Sequence, residues 1–587
     1  MAIENLITDH LDLWTAAVRP KSSAGRGSNS KLELTGIKKL RELILELAVR
    51  GKLVPQDPSD EPASVLLERI AAEKARLVKE KKIKKSKALP EIGEEEKLFE
   101  LPDGWEWARL NDLGDWGAGA TPTRSNSDFY GGNIPWFKSG ELTSDYIFNS
   151  EESVTELALS KSSLRYNDVG DVLVAMYGAT IGKTAILGVK ATTNQAVCAC
   201  TTFDGFLNLY LLQLLKAYRP RLIGMGAGGA QPNISKDKLI ATIVALPPFN
   251  EQKRIVSKID ELMALCDQLE QCSESQLAAH QTLVEALLAT LTDSTDADEL
   301  AQNWTRLSAH FDTLFITEAS IDALKQTILQ LAVMGKLVPQ DPSDEPASFL
   351  LERIAAEKAQ LVKEKKIKKE KPLPAINEDE TLFEIPRRWQ WVRLGDLAQY
   401  QKGYAFKSAD YLESGLMITK IQNLTENNIE SSVYIDPDKY MEFRKYLLCE
   451  GDIVMTTVGS WFSSPISAVG RSFVINKIFD GSLLNQNAVR IRFLNGLNPM
   501  YIFICINSLI FKKYLMQEAQ GTANQASITQ DSIKNFPICV PPQGEQNRIV
   551  STVDELMTLC DQLKSRLQTS QQTQLALAES LAEGALA

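Results

Sequence analysis

The stretch GKLVPQDPSDEPAS occupies Gly51–Ser64 and returns unchanged at Gly335–Ser348. Such a repeat sets the architecture before any local reading does. Working outward, Leu47–Ile92 and Leu331–Ile376 align without a gap and differ only at Arg50/Met334, Val65/Phe349, Arg76/Gln360, Ser86/Glu370, Ala88/Pro372 and Glu91/Ala375. A second pair follows, EQKRIVSKIDELMALCDQL from Glu251 and EQNRIVSTVDELMTLCDQL from Glu545, each preceded by Pro-Pro. The 587-residue chain is two tandem halves.

Helical periodicity carries the repeated parts. Ile37, Leu40, Ile44 and Leu47 are spaced 3, 4, 3, and Ile321, Leu324, Ile328 and Leu331 repeat that face. Gly51 and Gly335 stand where a helix C-cap belongs, and Pro62 and Pro346 open the next helix. That helix runs into two lysine tracts. One holds Lys79, Lys81, Lys82, Lys84 and Lys85, the other Lys363, Lys365, Lys366, Lys368 and Lys369. After each Pro-Pro comes a seam with alternating spacings of 4 and 3: Ile255, Ile259, Leu262, Cys266 and Leu269, then Ile549, Val553, Leu556, Cys560 and Leu563. Such alternation is the mark of a coiled coil, and the two copies are able to pair. Cys266 and Cys560 read as small buried apolar residues.

Between the repeats lie two diverged blocks rich in Gly, Asn, Thr and β-branched residues, which predict mixed α/β domains with many short strands. Their landmarks still correspond: LPDGWEWARLNDLGDW with IPRRWQWVRLGDLAQY, GDVLVAMYGATIG with GDIVMTTVGSWFS, TNQAVC with LNQNAV, and GAQPNIS with ANQASIT. Of their tryptophans, Trp105 and Trp107 are expected in the core.

Composition narrows the chemistry. Three histidines, His10, His280 and His310, all lie outside the diverged blocks, and eight cysteines form no CxxC pair. Histidine-based catalysis, a zinc site and a disulfide framework are not expected. The net charge of −11 argues against a polyanion partner until it is located. The segment from Glu251 to Glu318 carries about nine surplus acids, whereas residues 103–247 sum to about −2 and residues 387–541 to about +3. The apolar run Met500–Phe511 is short of the ~20 residues a membrane span needs, and no signal peptide is evident, so a cytoplasmic protein without membrane association is expected.

Three motifs are near misses. Gly178–Thr184 lacks the first glycine of a P-loop, where Tyr177 stands. Leu246–Phe249, LPPF, lacks the polar first residue of an adenine methyltransferase tetrapeptide, and Glu95-Glu96-Lys97 loses its lysine in the second copy.

On the duplicated segment, the Trp-x-Trp entries at Trp105/Trp107 and Trp389/Trp391, and the Pro-Pro exits at Pro247 and Pro541, the chain resembles the specificity (S, HsdS) subunit of Type I restriction-modification enzymes, in their EcoA-like (class B) branch. The resemblance implies two α/β target recognition domains separated by long antiparallel coiled-coil helices with an internal pseudo-two-fold repeat. It implies residues 1–102 as an N-terminal helical region with a Lys-rich helix, 103–247 as the first recognition domain, and 248–386 as a central helical region. Residues 387–541 are then the second recognition domain and 542–587 the C-terminal spacer helix. Each domain would read one half of a bipartite asymmetric DNA site. The helices would space the halves and dock two modification subunits and the restriction subunits. The chain would be non-catalytic and hold no cofactor; S-adenosylmethionine, ATP and Mg would serve the partners. The alternative is a coiled-coil scaffold with two binding modules that do not act on nucleic acid.

Base edges and phosphates are met by Arg, Lys, Asn, Gln, Ser and Thr, which selects the polar loops of the two blocks. The candidates in the first are Lys138, Tyr177, Lys183, Asn194, Gln195, Gln231, Asn233, Ser235 and Lys236. In the second they are Lys420, Gln422, Asn423, Trp461, Asn485, Gln486, Asn487, Asn524, Gln525 and Ser527. Amides shared by both blocks are as apt to brace a turn as to read a base. Sequence-specific contacts belong where the blocks differ, as at Arg124–Tyr130 against Lys407–Tyr411. The lysine tracts are either solvated faces or phosphate contacts.

Overall fold

The computed structural model describes residues 3–20, 32–85, 89–226, 232–295, 297–461, 468–522 and 525–586. The chain divides into two compact units, one formed by Met1–Arg19, Leu34–Glu274 and Gln572–Ala587, the other by Pro20–Glu33 and Ser275–Gln571.

In the first unit, helix α1 (Thr35–Val49) buries Ile37, Leu40, Ile44 and Leu47, the face expected from their spacing. It ends because Gly51 turns left-handed at φ +68°, which lets the Lys52 amide reach the Leu47 carbonyl at 2.9 Å. A side chain there would also meet Pro102, since a Cβ would lie 2.4 Å from its ring. Helix α2 (Ala63–Lys79) follows. The first diverged block then builds β1 (Glu106–Arg109), β2 (Gly114–Ala118), β3 (Tyr130–Phe137), β4 (Tyr146–Ile147), β5 (Glu152–Val154), β6 (Val172–Ala175), β7 (Thr184–Leu187), β8 (Thr192–Thr193), β9 (Val197–Thr202) and β10 (Ile243–Leu246). They form a five-stranded sheet, β2-β9-β6-β7-β4, a three-stranded sheet, β8-β3-β5, and the pair β10-β1. The 45-residue helix α3 (Phe249–Asp293) leaves the domain directly after β10 and Pro248.

In the second unit the order recurs. Helices α4 (Glu318–Val333) and α5 (Ala347–Lys363) precede β11 (Gln390–Arg393), β12 (Ala398–Lys402), β13 (Leu416–Thr419), β14 (Val433–Ile435), β15 (Ile453–Thr456) and β16 (Val458–Gly459). Next come β17 (Ser472–Val474), β18 (Leu483–Leu484), β19 (Ala488–Phe493), β20 (Gln520–Thr522), β21 (Gln525–Ser527), β22 (Pro537–Val540) and the 44-residue helix α6 (Gln543–Leu586). The sheets are β12-β19-β15-β17, β14-β13-β18, β11-β22 and β16-β21-β20.

Within each unit the two repeated stretches are each other's partners. In the first unit Trp105 Nε1 donates to Glu251 Oε2 at 3.0 Å, Gln56 Nε2 to Glu251 Oε1 at 3.2 Å, and Arg254 pairs with Asp60 at 2.7 Å. In the second, Trp389 and Gln340 donate to Glu545 at 3.0 and 2.5 Å, and Arg548 pairs with Asp344 at 2.6 Å. The glutamates are 1% exposed, so the polar groups of the quoted stretch satisfy charges that burial would otherwise leave unpaired. Arg109 is a second such clamp, donating to the carbonyls of Pro90, Glu91 and Ala241 and pairing with Glu96 at 3.1 Å. Arg393 repeats it with Pro374, Ala375, Asn535 and Glu380. Glu96 is therefore the anchor of an arginine.

The seams are buried. Ile255, Ile259 and Cys266 are 0% exposed, Leu262 2%, Ile549 0%, Val553 3% and Cys560 4%, whereas Leu269, Leu556 and Leu563 are half-buried. In the second unit the partner is α4: Ile549, Val553 and Cys560 share one core with Ile321, Leu324, Ile328 and Leu331. Ion pairs flank that contact, Lys564 with Asp322 at 3.1 Å and Lys325 with Asp561. In the first unit Arg41 of α1 pairs with Asp267 and Glu270 of α3, both at 2.6 Å. Burial pushes the Cys266 thiol up to about 11 and raises that of Cys560, which leaves both unreactive.

The lysine tracts correct one expectation. The helices end at Lys79 and Lys363 instead of continuing through the tracts. Lys81 and Lys365 turn left-handed at φ 59° and 58°, and the amides of Lys82 and Lys366 close back on Leu77 and Leu361 at 3.0 Å. The described lysines of both tracts are exposed; Lys82 and Lys366 are paired with Glu80 and Glu364 at 2.8 and 2.7 Å. Among the described residues no helix is long and apolar enough to cross a membrane.

Candidate nucleic-acid interface

Strand direction gathers the polar loops. In the first domain β3 and β8 run parallel with Phe137 opposite Thr193, so Lys138 and Asn194 leave the sheet at one edge, and the Asn194 amide donates to the Phe137 carbonyl at 2.9 Å. The chain beyond β6 arrives beside them, where the Met176 amide donates to Ala196 and Tyr177 bridges Asn233. Lys183 returns on the same β6–β7 turn, its carbonyl accepting from the Ala175 amide at 2.8 Å. Lys138, Tyr177, Lys183, Asn194, Gln195 and Asn233 thus share one edge. Tyr177, Gln195 and Asn233 are exposed.

The second domain repeats the construction. Parallel β13 and β18 set Thr419 opposite Leu484, and Lys420 and Asn485 follow. The Asn485 amide donates to Thr419 at 3.1 Å and the Thr457 amide to Asn487 at 2.8 Å. The small sheet β16-β21-β20 is added at this edge, with Val458 opposite Ser527. Gln486, Asn487, Gln525 and Ser527 are exposed, and Asn487 holds a left-handed φ of 69° that asparagine tolerates.

Individual side chains differ in what they leave free. Asn423 is 1% exposed and its amide nitrogen donates to Asn428, Ser431 and Ser432, so it braces a loop and does not read a base, contrary to expectation. Asn194 accepts from the Ala196 amide at 3.1 Å, and Ser235 caps the helix Lys236–Ile240 by accepting from Lys238. Trp461 donates to the Thr522 carbonyl at 2.8 Å and lies half-buried on the core, which leaves part of its ring at the surface. Gln422 donates to Glu426, Ser527 to the Gln520 carbonyl, and the Lys420 ammonium sits 5.2 Å from the Tyr411 ring. Lys236 is half-buried. Gln231 and Asn524 lie outside the described residues. Trp105 is 4% exposed, in the core as expected, whereas Trp107 is half-buried and packs on Phe99 at 5.0 Å.

One group on this edge was not legible in the sequence. Glu152, on β5 opposite Trp136, accepts from Lys138 at 2.5 Å and from Arg124 at 2.6 Å. These hydrogen bonds, Arg124's first, hold its carboxyl below the usual carboxylate range. Nothing near Glu152 in the chain marks it; only strand register brings it to the two cations.

Among the described residues the arrangement offers donors, acceptors and aromatic faces, which suits recognition. The type I restriction modification DNA specificity domain matches residues 102–279 and 386–570. The EcoAI specificity subunit of Escherichia coli is 44% identical and the EcoEI specificity subunit of the same species 43%, both over 100% of this chain and of their own length. The solved HsdS subunit of Thermoanaerobacter tengcongensis aligns with 83% of this chain and 98% of its own at a TM-score of 0.38 and 17% identity. The chain belongs to the family of type I restriction-modification DNA specificity subunits, in the branch that holds the EcoAI and EcoEI subunits.

Proposed function

We propose that this chain is the non-catalytic, DNA-reading subunit of a type I restriction-modification complex, acting in the cytoplasm. Each domain contacts one half of a bipartite, asymmetric duplex site. The repeated helices space the halves and dock two modification subunits, and through them the restriction subunits. Adenine N6 methylation with S-adenosylmethionine, and ATP- and Mg-dependent cleavage, belong to those partners.

One observation carries the reading: two copies of one frame, clamped by the same buried Glu–Trp–Gln contacts, present different side chains at the same strand edge. A reader of two unlike half-sites needs a constant frame and variable edges. A scaffold holding two modules away from nucleic acid has no use for that combination.

The test is co-expression of the full chain with its modification subunit in a methylation-free host, followed by genome-wide mapping of methylated adenine. A single split motif is expected. A complex that assembles and methylates no fixed motif would return the scaffold reading.

A further inference from the structure

Arg124 is 54% exposed, yet it is held by contacts on three sides. Its Nη1 donates to Glu152 Oε2 at 2.6 Å and its Nη2 to Glu152 Oε1 at 3.4 Å. The guanidinium carbon lies 4.7 Å from the centre of the Tyr130 ring and 5.1 Å from that of Trp136. Both rings are themselves fixed, Tyr130 by donating to the Pro122 carbonyl at 2.6 Å and Trp136 by donating to the Ala120 carbonyl at 3.1 Å. An exposed arginine ordinarily samples many rotamers, and this one has few left to lose on binding.

The fold does not require this cluster, as the second domain demonstrates. Strand register equates Trp136 opposite Glu152 with Ile418 opposite Val433, because β3 pairs with β5 and β8 as β13 pairs with β14 and β18. There the carboxylate is a valine and the indole an isoleucine. Tyr411, whose hydroxyl donates to Phe406 as that of Tyr130 does to Pro122, is faced by Lys420 in place of an arginine. A brace needed by the sheet would have been kept in both copies. This one is confined to the domain it serves, and Lys138 of the polar edge donates to the same carboxylate at 2.5 Å.

A guanidinium has five N–H groups, of which Glu152 engages two; among the described residues the others have no partner. Guanine is the base whose major-groove edge presents two acceptors, O6 and N7, to such a planar fork. Resting on the proposed DNA-reading function, we infer that Arg124 is a specificity-determining residue of the first domain and reads a guanine, with Glu152 as the residue that positions it.

The experiment maps methylated adenine for the full chain co-expressed with its modification subunit, as natural protein and as Arg124→Gln, Arg124→Lys and Glu152→Gln. The natural complex should require guanine at one position of one half-site. Arg124→Gln should lower the preference for guanine there by roughly 10- to 100-fold, leaving every other position unchanged. Arg124→Lys keeps the charge and loses the fork, so it should keep methylation while weakening discrimination at that same position. Glu152→Gln should act at that position too. If Arg124→Gln does not assemble, Arg124→Lys decides alone. Natural discrimination in assembled variants overturns the inference, as does a uniform loss at all positions, the behaviour of a phosphate contact, or a change in the other half. If the natural complex itself has no fixed motif, the DNA-reading function fails and this inference with it, a result distinct from the others.

Discussion

Glu251 and Glu545 are the residues on which each frame closes, and their protonation is set by burial. Desolvation raises both carboxyls above the usual range, and hydrogen bonds from Trp105 and Trp389 offset this only in part. A carboxyl whose folded-state pKa is raised takes up protons on folding. Its contribution to stability is full below about pH 4 and is lost as pH rises through the folded value. The double variant Glu251→Gln/Glu545→Gln lacks this titration. It forfeits one acceptor at each site, at a cost of about 1 kcal/mol each that does not vary with pH. Relative to the natural chain, its stability in urea should improve as pH rises from about 4 to 7. A difference that stays flat would mean that neither carboxyl is perturbed. Both glutamates were visible as repeated letters, but their indole partners stand far away in the chain, at separations of 146 and 156. No local pattern pairs residues that distant.

At the scale of elements, the heptad spacing identified the buried face of α6 without identifying its partner. Ile549 packs in the core shared with Ile321 and Ile328 of α4, so Ile549→Ala should cost about 2–4 kcal/mol in denaturant melts. Leu559, on the same helix and 59% exposed, should tolerate alanine within about 0.5 kcal/mol. Equal losses at the two positions would mean that the face is assigned wrongly. The lysine tracts make a separate case, because composition predicted charge and missed the left-handed turn that ends each helix at its first lysine. Changing Lys79, Lys81, Lys82, Lys84 and Lys85 to alanine should weaken binding to specific and random duplexes alike. The slope of log affinity against log salt should become shallower by about 0.9 for each phosphate the tract had neutralised. Sequence preference should stay. An unaltered slope would make the tract a solvated face or a partner-docking surface.

For the whole molecule, the two domains have separate strand sets and separate edges. Replacing residues 103–247 by the matching block of a relative should therefore change one half of the methylated motif and leave the other as it was. Altered recognition in both halves would sink the modular reading.

The sequence by itself determined the duplication, the helical faces and the family, because each of these is written in local spacing or in identity between copies. Tertiary structure alone decided that Gln56 and Asp60 serve Glu251 and Arg254, and that Asn423 is a buried brace. It also decided that Lys52 caps the Leu586 carbonyl at 2.8 Å while its repeat Lys336 caps those of Thr292 and Ser294. It decided, finally, that Glu152 meets Arg124. The physical reason is common to all four. Hydrogen bonds and ion pairs form between atoms within about 3 Å, and which distant residues come that close depends on strand register and helix packing, which no stretch of letters records on its own.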